Sequence, residues 1–234
     1  MLVSVLAVLV LVIVGILVWA NTVMAGERPA SLAAWRNPSI VITPTEHSIV
    51  MTPSEEPSGV GLVYIPGARV DPYAYMQVLS GIVETTGATV VITKPTLNLA
   101  FFDARPLSTF TADAPSIESW FIGGHSLGGV RACQLAESDD VTGLILFASY
   151  CATDLAATDL STLSISGSND GLSTPEKIRA ASGLLPADAV FTEIPGANHA
   201  SFGNYGVQPG DGEATITSDE ARDAITDALA GILK

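Results

Sequence analysis

Residues 121–133 read FIGGHSLGGVRAC. An apolar run leads into Gly124, Ser126 and Gly128, and Leu127 opens a stretch with helical spacing. A strand that turns sharply into a helix needs residues without bulk on either side of the turn, because the two backbones come close there. Gly124 and Gly128 meet that need. An ordinary glycine-rich connection, with Ser126 serving only as a helix cap, has the same requirement. The surrounding chain decides between the two.

Outward from this stretch, strand and helix candidates alternate. GVGLVYI (59–65) is a strand of the fully buried type, DPYAYMQVLSGIVETTG (71–87) carries apolar residues at helical spacing and stops at Gly87, and ATVVIT (88–93) is strand again. SWFIGG (119–124) leads to a helix from Leu127 to about Glu137. VTGLILFASY (141–150), STLSISG (161–167), a helix around Pro175 to Leu184, AVFTEI (189–194) and a last helix from about Ser218 to Leu233 complete the series. Such β-α-β alternation with near-continuous apolar strands predicts an α/β fold, a mostly parallel sheet with helices on both faces. Ahead of it, SIVITPTEHSIVMTP (39–53) places two β-branched runs around a polar turn and predicts an antiparallel hairpin. NTVMAGERPASLAAWRN (21–37) has no sustained periodicity and reads as a spacer or a short helix.

The N-terminus breaks most sharply from the rest. LVSVLAVLVLVIVGILVWA (2–20) carries no charge, and as a helix at ~1.5 Å per residue it reaches roughly 28 Å, about the thickness of a bilayer's hydrocarbon core. We read residues 1–25 as a transmembrane anchor or signal segment, 26–37 as a linker and 38–234 as one globular domain. Val23 and Ala25 form a small-residue cleavage pattern, so a retained anchor and a protein secreted after cleavage at Ala25 are both open, the anchor being the expectation. Arg28 and Arg36 lie just beyond the span and favour a cytoplasmic domain. An apolar segment at the extreme N-terminus ordinarily exports the chain behind it, and an extracytoplasmic domain is the expectation.

Composition excludes more than it assigns. Ten Lys and Arg against 24 Asp and Glu give a formal charge of −14, which repels nucleic acid and leaves no phosphate-tracking stripe. Three scattered histidines and two cysteines do not make a zinc site, so neither a metal nor another cofactor is expected. For Cys133 and Cys151 a disulfide in an oxidising compartment is open, but two buried small apolar side chains are the expectation.

In a parallel sheet, G-H-S-L-G between strand and helix has the setting of a nucleophile elbow, which presents a serine at the strand's carboxyl end. A serine hydroxyl needs a base to take its proton. His47 precedes the parallel series, and His125, next to Ser126 at a sharp turn, is expected to diverge from it. His199 remains, on the Gly-rich loop after the last strand, where crevice residues of an α/β sheet collect. Asp170, just beyond the preceding strand, is the candidate acid, and an Asx-turn with Gly171 is compatible with that role. Asp154 and Asp159 fall before that strand, at the wrong end of the sheet. The developing oxyanion needs two N–H donors, for which Leu127 and, on the loop YIPGARVDP, Ala68 are the candidates. Arg69 and Lys94, with Asn98, are candidate substrate-binding groups near the crevice, and a structural ion pair is an equal alternative for each cation.

At these residues the chain resembles the compact bacterial α/β-hydrolases grouped as alpha/beta hydrolase fold-5. The resemblance covers roughly residues 59–234 and rests on YIPGARVDPYAY, KPTLNLA, GGHSLGG, FASY, GSNDGLSTPEKI and GANHASFGNYGVQPGDG. It implies an α/β-hydrolase fold and a triad falling on Ser126, Asp170 and His199, and no particular substrate. The chain departs from related enzymes in reading PGA where a second glycine is frequent. Only about ten residues separate FASYC from STLSISG, too few for a cap domain. The resulting expectation is a membrane-anchored serine hydrolase that cleaves an ester-like bond of a small or surface-presented acyl substrate through an acyl-enzyme. The alternatives are an acyltransferase on the same triad and a non-catalytic membrane-anchored binding protein. Sequence alone does not set the oligomeric state.

Overall fold

A computed structural model describes residues 2–138 and 140–233. Its first element is the apolar helix α1 (Leu2–Asn21), long and apolar enough to cross a membrane. Residues expected as a linker include a helix, α2 (Arg28–Trp35), with Pro29 in its first turn. Proline suits that position because the first helical N–H groups have no partner in any case. The helix lies against α3 (Met76–Thr86) with Ala34 buried, so this stretch is part of the packed domain.

Eight strands form one sheet: β1 (Ile40–Pro44), β2 (Ser48–Pro53), β3 (Val60–Ile65), β4 (Thr89–Thr93), β5 (Ser119–His125), β6 (Gly143–Phe147), β7 (Ser161–Gly167) and β8 (Val190–Ile194). Their order is β1-β2-β4-β3-β5-β6-β7-β8. The hairpin expected at 39–53 is β1 and β2, paired antiparallel, and β2 is also antiparallel to β4. Every remaining pairing is parallel. Between strands run α4 (Ser108–Thr111), α5 (Leu127–Leu135) and α6 (Pro175–Ala180), and α7 (Ser218–Ala230) closes the chain. The α3 helix ends where expected, at Gly87 in the left-handed region with φ 70°, a conformation glycine adopts without steric cost.

Alternation along the strands builds two cores. Leu62, Tyr64, Val90 and Ile92 face one layer with α3 and α7, which supply Leu79, Ile82, Ile225 and Leu229. Val63, Ile65, Val91, Ile122, Leu144 and Leu146 face the other, packed under α5 and the segment carrying Phe110. Each fully buried aliphatic side chain of this kind contributes about 1.5–3 kcal/mol. Residues 148–160, between β6 and β7, contain no helix or strand and build no cap.

One expectation is overturned here. Cys133 and Cys151 form a disulfide, with Cα atoms 5.6 Å apart. Burial alone does not distinguish a thiol pair from a bridge. What brings the two together is that α5 and the loop after β6 pass side by side on the same face of the sheet.

Candidate active site

Ser126 stands alone between β5, ending at His125, and α5, beginning at Leu127. Its backbone sits at φ 53° and ψ −124°, a region that costs a non-glycine residue about 1–3 kcal/mol and persists only where neighbours enforce it. The neighbours are specific. Ser126 N–H donates to Phe147 O at 3.0 Å, and Ser126 O accepts from Ser149 Oγ at 2.7 Å. A Cβ on Gly128 would land on Ile65 O, and one on Gly124 would lie 2.6 Å from the Gly128 carbonyl carbon. The end of β3 therefore passes directly against the turn, and the two glycines are required for that approach. The carbonyl and N–H of Ser126 are held while its side chain is left half-exposed.

His199 and Asp170 meet from the carboxyl ends of β8 and β7. His199 Nδ1 and Asp170 Oδ2 are 2.8 Å apart, with both side chains almost fully buried. The other carboxylate oxygen, Oδ1, accepts from Leu172 N and Ser173 N, each at 2.7 Å. Asp170 is thus an Asx-turn acceptor and the partner of the imidazole at once. A carboxylate so placed fixes Nδ1 as the protonated nitrogen and leaves Nε2 free to accept a proton. Among the described residues no hydrogen bond joins Ser126 Oγ to His199, and such bonds commonly tighten only when substrate is present.

His125, next to Ser126 in sequence, lies fully buried, its ring centroid 4.4 Å from that of His199 and close to Tyr75, Phe202 and Tyr205. As the last residue of β5 it alternates onto the α3 face of the sheet, where the His199 loop closes over it. Burial first, then repulsion by a charge on His199, holds the His125 imidazole well below its ordinary range, with the His199 backbone pulling weakly the other way. Burial likewise pushes the Tyr75 phenol far up, against the smaller opposing effect of its bond from Gly67. The Tyr75 hydroxyl shares a hydrogen bond with His125 Nδ1 at 3.0 Å and accepts from Gly67 N–H at 2.9 Å. One hydroxyl therefore joins the imidazole packed on His199 to the loop after β3.

That loop carries Ala68. Gly67 N–H is spent on Tyr75, Val70 N–H on Gly67 O and Arg69 N–H on Asn98 O. Among the described residues the N–H groups of Ala68 and Leu127 have no partner, so both are available as donors. The three substrate-binding candidates are placed elsewhere. Arg69 Nε donates to Thr22 O at 3.0 Å, its Nη2 also bonds Thr22 O, and its guanidinium lies 4.7 Å over the Trp19 ring. Asn98 Nδ2 donates to Ala20 O at 3.2 Å. Both hold the carboxyl end of α1, where terminal carbonyls lack helical partners. Lys94 Nζ donates to Thr45 O in the β1–β2 turn. Proximity to the crevice loops in sequence does not show which acceptor each side chain reaches.

Asp211 was missed. Its Oδ1 accepts from His199 N–H and from Gly171 N–H, both at 3.1 Å, and Oδ2 accepts from Ala200 N–H at 3.0 Å. A single carboxylate thus ties the histidine loop to the acid loop. Its signal was the flanking glycines of PGDG, which let the segment approach Asn169 and Gly171 closely, but nothing in that tetrapeptide names the partners. Tyr75, inside the quoted YIPGARVDPYAY, was missed for the same reason. A cleft of about 550 Å³ lies beside the His199 turn, lined by Glu27, Asn198, Asn204 and Asp211, and does not include Ser126. Among the described residues no group of three or more His, Cys, Asp or Glu could hold a metal ion.

The model of the alpha/beta hydrolase family matches residues 61–223. No curated protein matches the sequence. Among solved structures, a carboxyl esterase from the mycorrhizal fungus Tuber melanosporum is similar with TM-score 0.61 at 12% identity, over 91% of this chain and 92% of that one. The carboxylesterase CesB of Bacillus subtilis is similar with TM-score 0.56 at 11% identity, over 87% and 95%. An alpha-beta serine hydrolase homologue from Coxiella burnetii gives TM-score 0.55 at 13% identity, over 82% and 98%.

Proposed function

The chain belongs to the alpha/beta hydrolase family, and on that premise we propose that it is a serine hydrolase of ester-like acyl bonds. Ser126 Oγ attacks the carbonyl carbon while His199 Nε2 takes the hydroxyl proton. Asp170 holds the imidazole and stabilises the imidazolium. The N–H groups of Ala68 and Leu127 receive the oxyanion. As the tetrahedral intermediate collapses, the bond to the leaving oxygen breaks and His199 returns the proton to it, releasing an alcohol. Water, deprotonated by the same imidazole, then attacks the acyl-serine and liberates the carboxylic acid.

The observation that carries this reading is the buried His199–Asp170 pair at 2.8 Å, at the same sheet end as a serine with enforced positive φ. Acyl transfer uses the same groups but requires water to be kept from the acyl-enzyme. The absence of helix and strand in 148–160 argues for an open site and thus for hydrolysis. The test is labelling with a fluorophosphonate probe: wild type is labelled and Ser126→Ala is not. Equal labelling of both, or none of the folded wild type, overturns the proposal.

The anchor reading draws support from packing. Ala20 is fully buried, Met24 N–H donates to Arg69 O at 2.7 Å, Asp71 N–H donates to Met24 O at 3.0 Å, and Glu27 N–H donates to Asn204 O at 2.7 Å. Cleavage after Ala25 would strip Arg69 and Asn98 of their acceptors, so we infer that α1 is retained. A buried disulfide fits an oxidising compartment and hence an extracytoplasmic domain. The intact mass of the membrane-extracted protein checks retention.

A further inference from the structure

The apolar helix is seated on the same loops that border the crevice. Side chains 4–19 of α1 are exposed, and only its carboxyl end meets the domain. There Ala20 O is taken by Asn98 and Thr22 O by Arg69, while Met24 pairs with Val70 in a parallel bridge. Arg69 directly follows Ala68, whose N–H is the proposed oxyanion donor. Asn98 belongs to the turn Thr96–Asn98, which runs into a second turn, Ala100–Phe102, packed against α5, the helix that Ser126 opens. On that second turn Phe101 and Phe102 are 70% and 57% exposed, edge to face with centroids 6.4 Å apart.

These placements fix a level. A twenty-residue helix spans the hydrocarbon core and no more, so the membrane surface lies near the helix end that is docked. Trp19, 52% exposed at that end, is the residue type that settles at the interface, and the Arg69 guanidinium lies over its ring. The loops after β3 and β4 sit at the same end, and two adjacent exposed phenylalanines beside a span are suited to a lipid surface rather than to water.

We propose that the crevice opens onto the bilayer that α1 crosses, and that its substrate is an amphiphilic acyl ester resident in that bilayer. This rests on the serine hydrolase reading and names its substrate class. The ester carbonyl reaches Ser126 with its chain still partly in the leaflet, water cleaves the ester, and the carboxylic acid and alcohol leave by the same face. The capless site is consistent with this, since a lid would separate the crevice from the surface it serves.

The test uses the full chain in phosphatidylcholine vesicles. Because both native cysteines are paired, a thiol-reactive environment-sensitive dye can be placed selectively at Phe101→Cys, with Val190→Cys on the far edge strand β8 as control. The expected result is a blue-shifted emission at 101, shielded from aqueous iodide, with 190 fully quenched. Equal quenching at both sites overturns the proposal, and so does shielding at 101 that disappears on diluting the protein in lipid, which assigns the pair to contact between copies. A kinetic arm compares a vesicle-embedded long-chain fluorogenic ester with water-soluble p-nitrophenyl acetate. In Phe101→Ser/Phe102→Ser, turnover of the embedded ester falls about tenfold or more, equivalent to ~1.4 kcal/mol, while the soluble ester stays within about twofold. Equal loss on both esters, or no loss on either, overturns the bilayer substrate. Absence of Ser126-dependent turnover of any ester overturns the hydrolase reading itself, which the dye measurement does not depend on.

Discussion

The proposed nucleophile and its proposed base are held in place by different means. Around Ser126 the constraint is local: two glycines admit β3, and one N–H and one carbonyl are bonded across to Phe147 and Ser149. Around His199 the constraint is distant. Its backbone leans on Asp211, twelve residues away, its imidazole on Asp170, 29 residues away, and its ring on His125, across the sheet. Strain pins the first region and a hydrogen-bond network pins the second. The first should therefore fail all at once when its serine is removed, and the second by degrees.

The largest effects test the chemistry at both poles. Ser126→Ala should lower kcat for any cleaved ester by on the order of 10⁶-fold, leaving only what the oxyanion donors supply. Asp170→Asn keeps the shape but offers Nδ1 an ambiguous partner, and a loss of about 10⁴-fold is expected. Steady-state kinetics check both. A smaller loss for Ser126→Ala than for Asp170→Asn would reverse the comparison and shift the nucleophile elsewhere.

These two regions also differ in how readable they were. The elbow announces itself because everything it needs lies within five residues, and the alternating strands fix which end of the sheet it occupies. His199 and Asp170 followed from chain order along that sheet. What stayed hidden was pairing over long separations. Arg69 and Asn98 reach back 47 and 78 residues to the end of α1, and no local pattern distinguishes a cation that awaits a substrate from one that caps a helix. The surroundings of His125 were hidden for a related reason: the strand face onto which it alternates is the one that the distant His199 loop covers.

The disulfide belongs to the elbow's side, since it ties α5 to the loop after β6. Bridging cysteines 18 residues apart should contribute about 3 kcal/mol, read as a drop in the urea midpoint of Cys133→Ala/Cys151→Ala in mild detergent. Reduction of the wild type should match it. An unchanged midpoint in both would mean that the bridge does not form.

On the histidine's side, Asp211→Ala leaves the N–H groups of Gly171, His199 and Ala200 without their acceptor and should cost about 1–3 kcal/mol. Because Asp211 touches no reacting atom, fluorophosphonate labelling should slow but persist. Asp211→Asn, which keeps a carbonyl oxygen, should recover part of the rate. A complete loss of labelling with unchanged stability would make Asp211 a direct participant and not a positioning residue.

The smallest effect probes the ring beneath His199. His125 is held well below its ordinary range in the folded protein, by burial first and by the neighbouring imidazole second. In the unfolded chain it returns to about 6.5. Between the two values the unfolded state binds more protons, so stability rises with pH through that window. The contribution is fully present above about pH 6.5 and is lost progressively below it, at no more than about 1.4 kcal/mol per pH unit for one group. Tyr75 and Tyr205, also packed on this ring, stay protonated throughout because burial pushes both phenols up. Urea midpoints measured from pH 7 down to pH 5 should therefore fall, and the fall should be shallower in His125→Gln. An identical slope in that variant would mean that the ring beneath His199 has no share in the acid sensitivity.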